Sequence, residues 1–193
     1  MSDTSFQIQA HEDATVLRLN SNDGTNRLTR ACVVSLIETV SELKEFSDGL
    51  VITGNSKFFS AGAELAEIAA LTGPAAYEFA LLGQRLMTAI ENFPAPVYAA
   101  ISGYCMGGGL DLALACHRRI AAPHSVFGHR GAALGLITGW GGTQRLPRLI
   151  GKTRALAMFV AAEKISAPNA ARIGLIDAMA EDPVSQAIRL LRR

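Results

Sequence analysis

The stretch from residue 93 to residue 110 constrains the fold of this chain more than any other feature. It contains no charged residue, and it joins an apolar run, 96–101, to a turn that carries four glycines. Its length alone is enough to cross a membrane, but Pro94, Pro96 and the glycines would break a lone spanning helix. We therefore interpret it as a buried strand that runs through a glycine-rich turn into a helix.

The same order of strand, loop and helix recurs about four times along the chain. The segments 49–54 and 118–122 predict further short strands, and the periodic apolar positions from Thr29 to about Phe46 predict a helix. This alternation favours an α/β fold with mostly parallel strand pairing.

The size of the chain fits one domain. Its 193 residues can bury a sizeable core and are too few for two ordinary domains. We expect a core domain over residues 1–180 and a short tail over 181–193 that can form only a short helix. Hydrophobic residues make up 49% and charged residues 18%, which excludes a disordered chain. The net charge of +1 gives no electrostatic reason to expect nucleic acid or an anionic membrane as a partner.

The cysteines indicate a reducing compartment. Cys32, Cys105 and Cys116 are odd in number and lack paired spacing, so neither a disulfide framework nor a zinc cluster is expected. Each is predicted to pack as a small buried hydrophobe. Residues 1–10 lack the basic and apolar segments of a secretory signal. We therefore predict a cytoplasmic protein without a metal site.

Two strand-to-helix junctions carry the residues best suited to bind a ligand. They are residues 58–65, which contain Gly62, and residues 103–111, which contain Gly107 to Gly109. Free amides at a helix N-terminus attract negative charge, and glycine lets a ligand approach the backbone. Two such junctions facing each other can place two N–H donors on one developing oxyanion. Each junction taken alone is more typical of an ordinary tight turn before a helix.

In their order and spacing these segments resemble the enoyl-CoA hydratase/isomerase, or crotonase, family. The resemblance covers nearly the whole chain. It rests on the segments Gly49–Gly54, Ser60–Glu64, Pro96–Cys116, Phe127–Gly128, Leu134–Gly151 and Ala171–Asp177. It implies a crotonase-like α/β fold built as a spiral of ββα repeats.

The resemblance also implies that the chain binds an acyl-CoA thioester whose carbonyl oxygen lies between two backbone amides. By motif position these amides belong to Ala63 and Gly108. An enolate that forms on the thioester places negative charge on that oxygen, and two preorganised N–H groups stabilise it. The residues expected to border the thioester are Ala61, Glu64, Leu65, Gly107 and Trp140. Coenzyme A is then part of the substrate, no separate cofactor is expected, and the family's trimers or hexamers imply a homo-oligomer.

The sequence departs from the family's pair of catalytic carboxylates. Asp111 stands where the family usually has Glu, and Gly131 stands at the position of the second acid. Residues 112–162 contain no Asp or Glu at all. His129 is either a base that points inward or a packed or surface histidine, and Arg130 either binds a carboxylate on the substrate or is a solvated charge.

A second departure concerns the end of the chain. Family members usually continue with a helical segment that packs on the substrate site and on neighbouring subunits. This sequence stops soon after Asp177, so we expect that segment to be largely missing.

Three functions are compatible with these residues. The first is an enoyl-CoA hydratase/isomerase reaction with Asp111 as the acid/base group. Because a double-bond shift moves a single proton, isomerisation should survive the loss of an acid at Gly131 better than hydration does. The second is decarboxylation of a malonyl-type acyl-CoA, for which Gly131 would leave room for the leaving carboxylate. The third is an acyl-CoA-binding or assembly subunit without catalysis.

Overall fold

The computed structural model describes residues 5–11, 14–46 and 48–192. The strands are β1 (Phe6–His11), β2 (Ala14–Leu19), β3 (Arg27–Leu28), β4 (Leu50–Thr53), β5 (Phe58–Ser60), β6 (Gly62–Ala63), β7 (Val97–Ile101), β8 (Tyr104–Met106), β9 (Arg118–Ala121), β10 (Val126–Gly128), β11 (Ile165–Ser166) and β12 (Ala178–Met179). The helices are α1 (Arg30–Leu43), α2 (Leu65–Ala69), α3 (Gly73–Glu91), α4 (Gly108–Ala115), α5 (Gly142–Ile150), α6 (Lys152–Ala161), α7 (Ala167–Arg172) and α8 (Pro183–Leu191), with a 3-10 helix at Gly131–Leu134.

The larger sheet has six strands in the order β1-β2-β4-β7-β9-β12. Only β1 runs antiparallel to its neighbour within this sheet, and the other pairs are parallel. Every residue of β4 and β7 is buried. Continuous apolar runs of this kind are what a parallel strand needs when both faces of its sheet are covered.

A second sheet has four strands in the order β11-β10-β8-β5, and β3 pairs separately with β6. Strands of the two larger sheets alternate along the chain. A strand of the first sheet is followed by one of the second and then by helix, as in β4, β5 and α2, in β7, β8 and α4, and in β9, β10 and α5. The predicted spiral of ββα repeats is therefore confirmed.

The helix predicted from Thr29 begins as expected. The Thr29 side chain accepts a hydrogen bond from the Cys32 amide at 3.1 Å, and the helix ends at Leu43. Several short strands, β5 and β8 among them, are not predicted by the sequence. These two have three residues each and lie beside glycine-rich turns, whose composition is that of loops.

The segment 181–193, predicted as a tail, contains α8, whose residues the structure describes up to 192. The fully buried Ala187 packs on the outer face of the larger sheet against Val16, Val51 and Tyr98. The helix therefore packs on the core rather than standing apart from it.

Candidate active site

The two predicted junctions meet in space. Gly62 and Ala63 form β6, and Gly108 is the first residue of α4. A Cβ atom placed on Gly62 would lie 3.0 Å from the Gly108 nitrogen, and one placed on Gly108 would lie 3.3 Å from the Ala63 nitrogen. The amides of Ala63 and Gly108 are thus neighbours, and side chains at 62 and 108 would fill the space between them.

The turn before α4 depends on Gly107. Its φ of 51° lies in the region that favours glycine, and its amide donates to the Gly128 carbonyl at 2.9 Å. The helix that follows exposes first-turn amides without intrahelical acceptors. The Gly108 N–H, at the first position of α4, therefore has no acceptor within its own helix.

Asp111 lies one turn further along α4 and is only 1% exposed. Its Oδ2 accepts a hydrogen bond from the Thr138 hydroxyl. Its Oδ1 lies 3.3 Å from Nε2 of His129, which is 4% exposed, and neither atom makes an aligned hydrogen bond in the described part of the chain. The surface-histidine interpretation of His129 is therefore wrong, and carboxylate and imidazole form a buried pair.

Two further residues hold this pair in place. The His129 ring packs on the Phe159 ring, with ring centres 5.1 Å apart. Gly142, at the start of α5, approaches so closely that a Cβ there would lie 2.1 Å from Asp111 Oδ1 and 3.1 Å from His129 Nε2. Because Gly142 has no side chain, the Asp111 carboxylate can occupy this space.

The pair and both junctions line one cavity of about 700 Å³. Among the described residues of its lining, Asp111 is the one carboxylate. Much of the remaining wall is apolar, contributed by Ile68, Leu71, Ala76, Phe79, Ala80, Leu134, Leu136 and Ile137. The cavity therefore combines a polar end, suited to proton transfer and carbonyl binding, with a wall suited to an aliphatic chain.

Most of the residues predicted to border a thioester line this cavity. They are Ala61, Leu65, Gly107 and Trp140. Trp140 is buried, its Nε1 donates to the Phe79 carbonyl at 3.3 Å, and a Cβ on Gly108 would lie 2.6 Å from its ring. It therefore braces the Gly108 junction as well as lining the cavity.

Glu64 is the exception, since it is absent from the described cavity wall. Its carboxylate instead accepts from the Ala66 amide at 3.2 Å, at the start of α2, and lies 3.5 Å from the Arg27 guanidinium. Helix capping and an ion pair thus engage the Glu64 side chain in this structure, and its contact with the substrate stays a prediction.

Gly131 lines the cavity, but the structure leaves no room for a side chain at this position. A Cβ there would lie 2.7 Å from the Leu136 carbonyl oxygen, and the Leu136 amide donates to the Gly131 carbonyl at 2.8 Å. A tight loop thus occupies the space that the side chain of the family's second acid would need at this position. Arg130, next to it, is exposed at the cavity wall.

Sequence reasoning missed Thr138 and Gly142 as neighbours of Asp111. Thr138 lies in the described loop over 131–139 and Gly142 follows that loop, and no local pattern indicates that the loop folds back onto α4. The glycine cluster at 139–142 opens α5. Glycine also occurs where another group approaches the backbone closely, and this use was the signal that the sequence offered for Gly142.

The described residues contain no cluster of His, Cys, Asp or Glu suited to a metal ion. The three cysteines are buried and unpaired. Burial raises the pKa of Cys32 to about 11 and that of Cys116 to about 12, and it raises the pKa of Cys105 well above its usual range. Their thiols therefore stay protonated and unreactive near neutral pH. Within the described ranges, no helix has the length and apolar character needed to cross a membrane.

Comparison with known families identifies the class of protein to which this fold belongs. The model of the enoyl-CoA hydratase/isomerase family matches residues 10–193, so the chain belongs to that family.

Curated relatives carry names from the same family. The chain is 38% identical to the crotonyl-CoA hydratase of Syntrophomonas wolfei over 173 residues, which are 88% of this chain and 66% of that protein. It is 46% identical to a probable enoyl-CoA hydratase of Bacillus subtilis over 136 residues, 69% of this chain and 52% of that protein. The matched region thus spans between half and two thirds of these relatives' length.

Solved structures agree with the fold. DspI of Pseudomonas aeruginosa superposes with a TM-score of 0.93 at 33% identity, covering 100% of this chain and 81% of that one. An enoyl-CoA hydratase from Bacillus anthracis superposes with a TM-score of 0.92 at 32% identity, covering 97% and 75%.

Proposed function

We propose that this chain catalyses proton transfer on an enoyl-CoA thioester, the reaction type of its family. The observation that carries the proposal is the position of Asp111. Its carboxylate lies one turn after Gly108 on α4, in the same cavity as the Ala63 junction. A thioester held at the junctions therefore has an acid/base group beside its acyl carbons.

The amides of Ala63 and Gly108 act as the oxyanion hole in this proposal. Proton transfer at the α or γ carbon creates an enolate, whose negative charge gathers on the thioester oxygen. Two fixed N–H groups stabilise that charge more than they stabilise the neutral carbonyl, so they lower the barrier. Family membership and the adjacency of the two amides support this assignment.

Asp111 then moves the proton. The Thr138 hydroxyl holds Oδ2, which fixes the direction of the carboxylate, and burial keeps competing water away. A shift of the double bond needs one proton removed and one returned, and a single carboxylate can do both.

Hydration requires a second acid/base group, and His129 takes that role in the proposal. It lies two residues before the position where the sequence lacks an acid, and its imidazole is 3.3 Å from Asp111. The pair can share a proton, so one member activates water while the other supplies the proton to the α carbon.

The test compares two reactions in one protein. We expect the parent to hydrate crotonyl-CoA and to convert but-3-enoyl-CoA to crotonyl-CoA. His129→Gln should lower hydration about 100-fold and isomerisation less than about 10-fold. The control is His124→Gln, since His124 is exposed and contacts the Ser56 carbonyl at 3.2 Å, away from the cavity wall.

Two outcomes would contradict the proposal. If the folded parent binds both thioesters and converts neither, the chain is an acyl-CoA-binding subunit without catalysis, the third of the functions considered above. Equal losses in the two reactions for His129→Gln would remove the specific role of His129 in hydration. Decarboxylation has no specific observation in its favour among the described residues.

The expectations about cofactor, metal, localisation and oligomeric state are also proposals. We propose that coenzyme A enters with the substrate, that the protein works without a metal or further cofactor, and that it is a cytoplasmic homo-oligomer. Sedimentation analysis of the purified chain tests the oligomeric state, and activity after exhaustive chelation tests the absence of a metal.

A further inference from the structure

Ser60 lies where the two junctions are tied together, and it is absent from the described cavity wall. Its side chain is fully buried. The hydroxyl donates to the Asn26 carbonyl at 2.7 Å and accepts from the Gly62 amide at 3.1 Å. One hydroxyl thus connects the loop before β3 to the residue that precedes Ala63.

The carbonyl that Ser60 binds is itself held firmly. Asn26 is a buried non-glycine residue with a φ of 53°, a conformation that needs support from its surroundings. Its side-chain amide donates to the carbonyls of Phe58 and Phe59, at 2.9 and 3.2 Å, and its side-chain oxygen accepts from the Ser21 amide at 3.1 Å. Asn26 is therefore a fixed anchor for the Ser60 hydroxyl.

Ser60 also contacts the second junction directly. A Cβ placed on Gly109 would lie 2.6 Å from the Ser60 Cβ and 2.8 Å from its Oγ. Gly109 follows Gly108 in the chain, as Gly62 precedes Ala63. The small side chain of Ser60 therefore packs tightly beside Gly62 and Gly109, the chain neighbours of the two proposed donors.

We propose that Ser60 is a positioning residue that sets the separation of the Ala63 and Gly108 amides; this inference rests on the oxyanion hole of the proposed function. Two donors stabilise one oxygen only when both lie at hydrogen-bond distance from it. Removal of the hydroxyl releases the Gly62 amide, and loss of the side-chain contact frees the start of α4. Both changes alter the spacing of the hole without removing either donor.

The test is Ser60→Ala, with Ser125→Ala as the matched control. Ser125 is another buried serine, and its hydroxyl donates to the Ile101 carbonyl at 3.0 Å, away from the cavity wall. We expect Ser60→Ala to lower kcat about 10- to 100-fold and to change KM less than about threefold. Ser125→Ala should lose similar stability and keep kcat within about threefold of the parent.

A second variant and a second measurement separate positioning from folding. Ser60→Cys replaces the hydroxyl by a larger thiol that is a weak donor, and its kcat should fall between those of the parent and Ser60→Ala. Isotope-edited infrared spectra of bound butyryl-CoA report the carbonyl directly. The stretch should move to lower wavenumber in the parent and in Ser125→Ala, and move less in Ser60→Ala.

The outcomes are distinct. If the parent binds the thioester without moving its carbonyl stretch, the proposed hole fails and the Ser60 inference fails with it. If the parent moves the stretch and Ser60→Ala moves it equally, only the Ser60 inference is overturned. Equal losses of kcat in the two alanine variants would also overturn it, since both would then act through stability alone.

Discussion

At the scale of single residues, the site depends on groups that make room as much as on groups that react. Gly142 and Gly108 lie where a Cβ would collide with Asp111 and with the Trp140 ring, respectively. The motif predicted that glycine at 108 was needed for approach to the thioester. The glycine cluster that ends at Gly142 was the available signal of a close approach, but the sequence could not identify Asp111 as the neighbour, because Asp111 lies 31 positions earlier in the chain and on another helix.

Gly131 gives the residue-scale prediction. Sequence reasoning alone suggests that Gly131→Glu would restore a second carboxylate and raise hydration. The structure predicts the opposite, because the new Cβ would lie 2.7 Å from the Leu136 carbonyl oxygen and the loop would have to open. We expect Gly131→Glu to lower the free energy of unfolding by about 1–3 kcal/mol and to leave hydration no faster than in the parent. Urea unfolding and initial rates on crotonyl-CoA check both parts, and a faster, equally stable variant would refute them.

At the scale of elements, the strand-to-helix junctions were the most predictable part of the molecule. Apolar runs, glycines and a capping Thr29 are local signals, and they located α1, α4 and the two junctions. The inward turn of His129 was not predictable. It depends on the loop from Gly131 to Gly139, which is closed by the backbone bond from Leu136 to Gly131 and packs on α4 and α6 through contacts distant in sequence.

The junctions yield a prediction about binding. Gly108→Val places a branched side chain between the Trp140 ring, 2.6 Å from the new Cβ, and the Ala63 amide. We expect the affinity for butyryl-CoA, measured by calorimetry, to fall at least about tenfold. Gly73→Val is the control, since a Cβ at Gly73 meets nothing within 4 Å. Parent-like binding by Gly108→Val would show that the thioester does not use this junction.

At the scale of the whole molecule, α8 shows what composition could not reveal. The sequence predicts a tail over 181–193 that can form only a short helix. In the structure its apolar face covers the outer face of the six-stranded sheet, with Ile188 and Leu191 packed beside the buried Ala187. The strands that α8 covers are distant from it in sequence, so a local pattern could not show that α8 packs on this sheet.

A single charge introduced at a buried position of α8 tests the packing of this helix. Ala187→Asp would place a carboxylate against Val16, Val51 and Tyr98, where the described surroundings are apolar. We expect the free energy of unfolding to drop by about 3 kcal/mol or more. Gln186→Asp, at the partly exposed neighbouring position, should cost less than about 1 kcal/mol. Similar stability for both variants in urea titrations would mean that α8 does not pack as described.

Turnover of but-3-enoyl-CoA by the parent and by Asp111→Asn tests the central claim most directly. The substitution keeps the size of the side chain and removes its ability to accept a proton. The account predicts a loss of about 100-fold or more in kcat, with thioester affinity within about threefold of the parent. The exposed Glu181→Gln should behave like the parent. Equal turnover by the parent and by Asp111→Asn would contradict the assignment of Asp111 as the group that moves the proton.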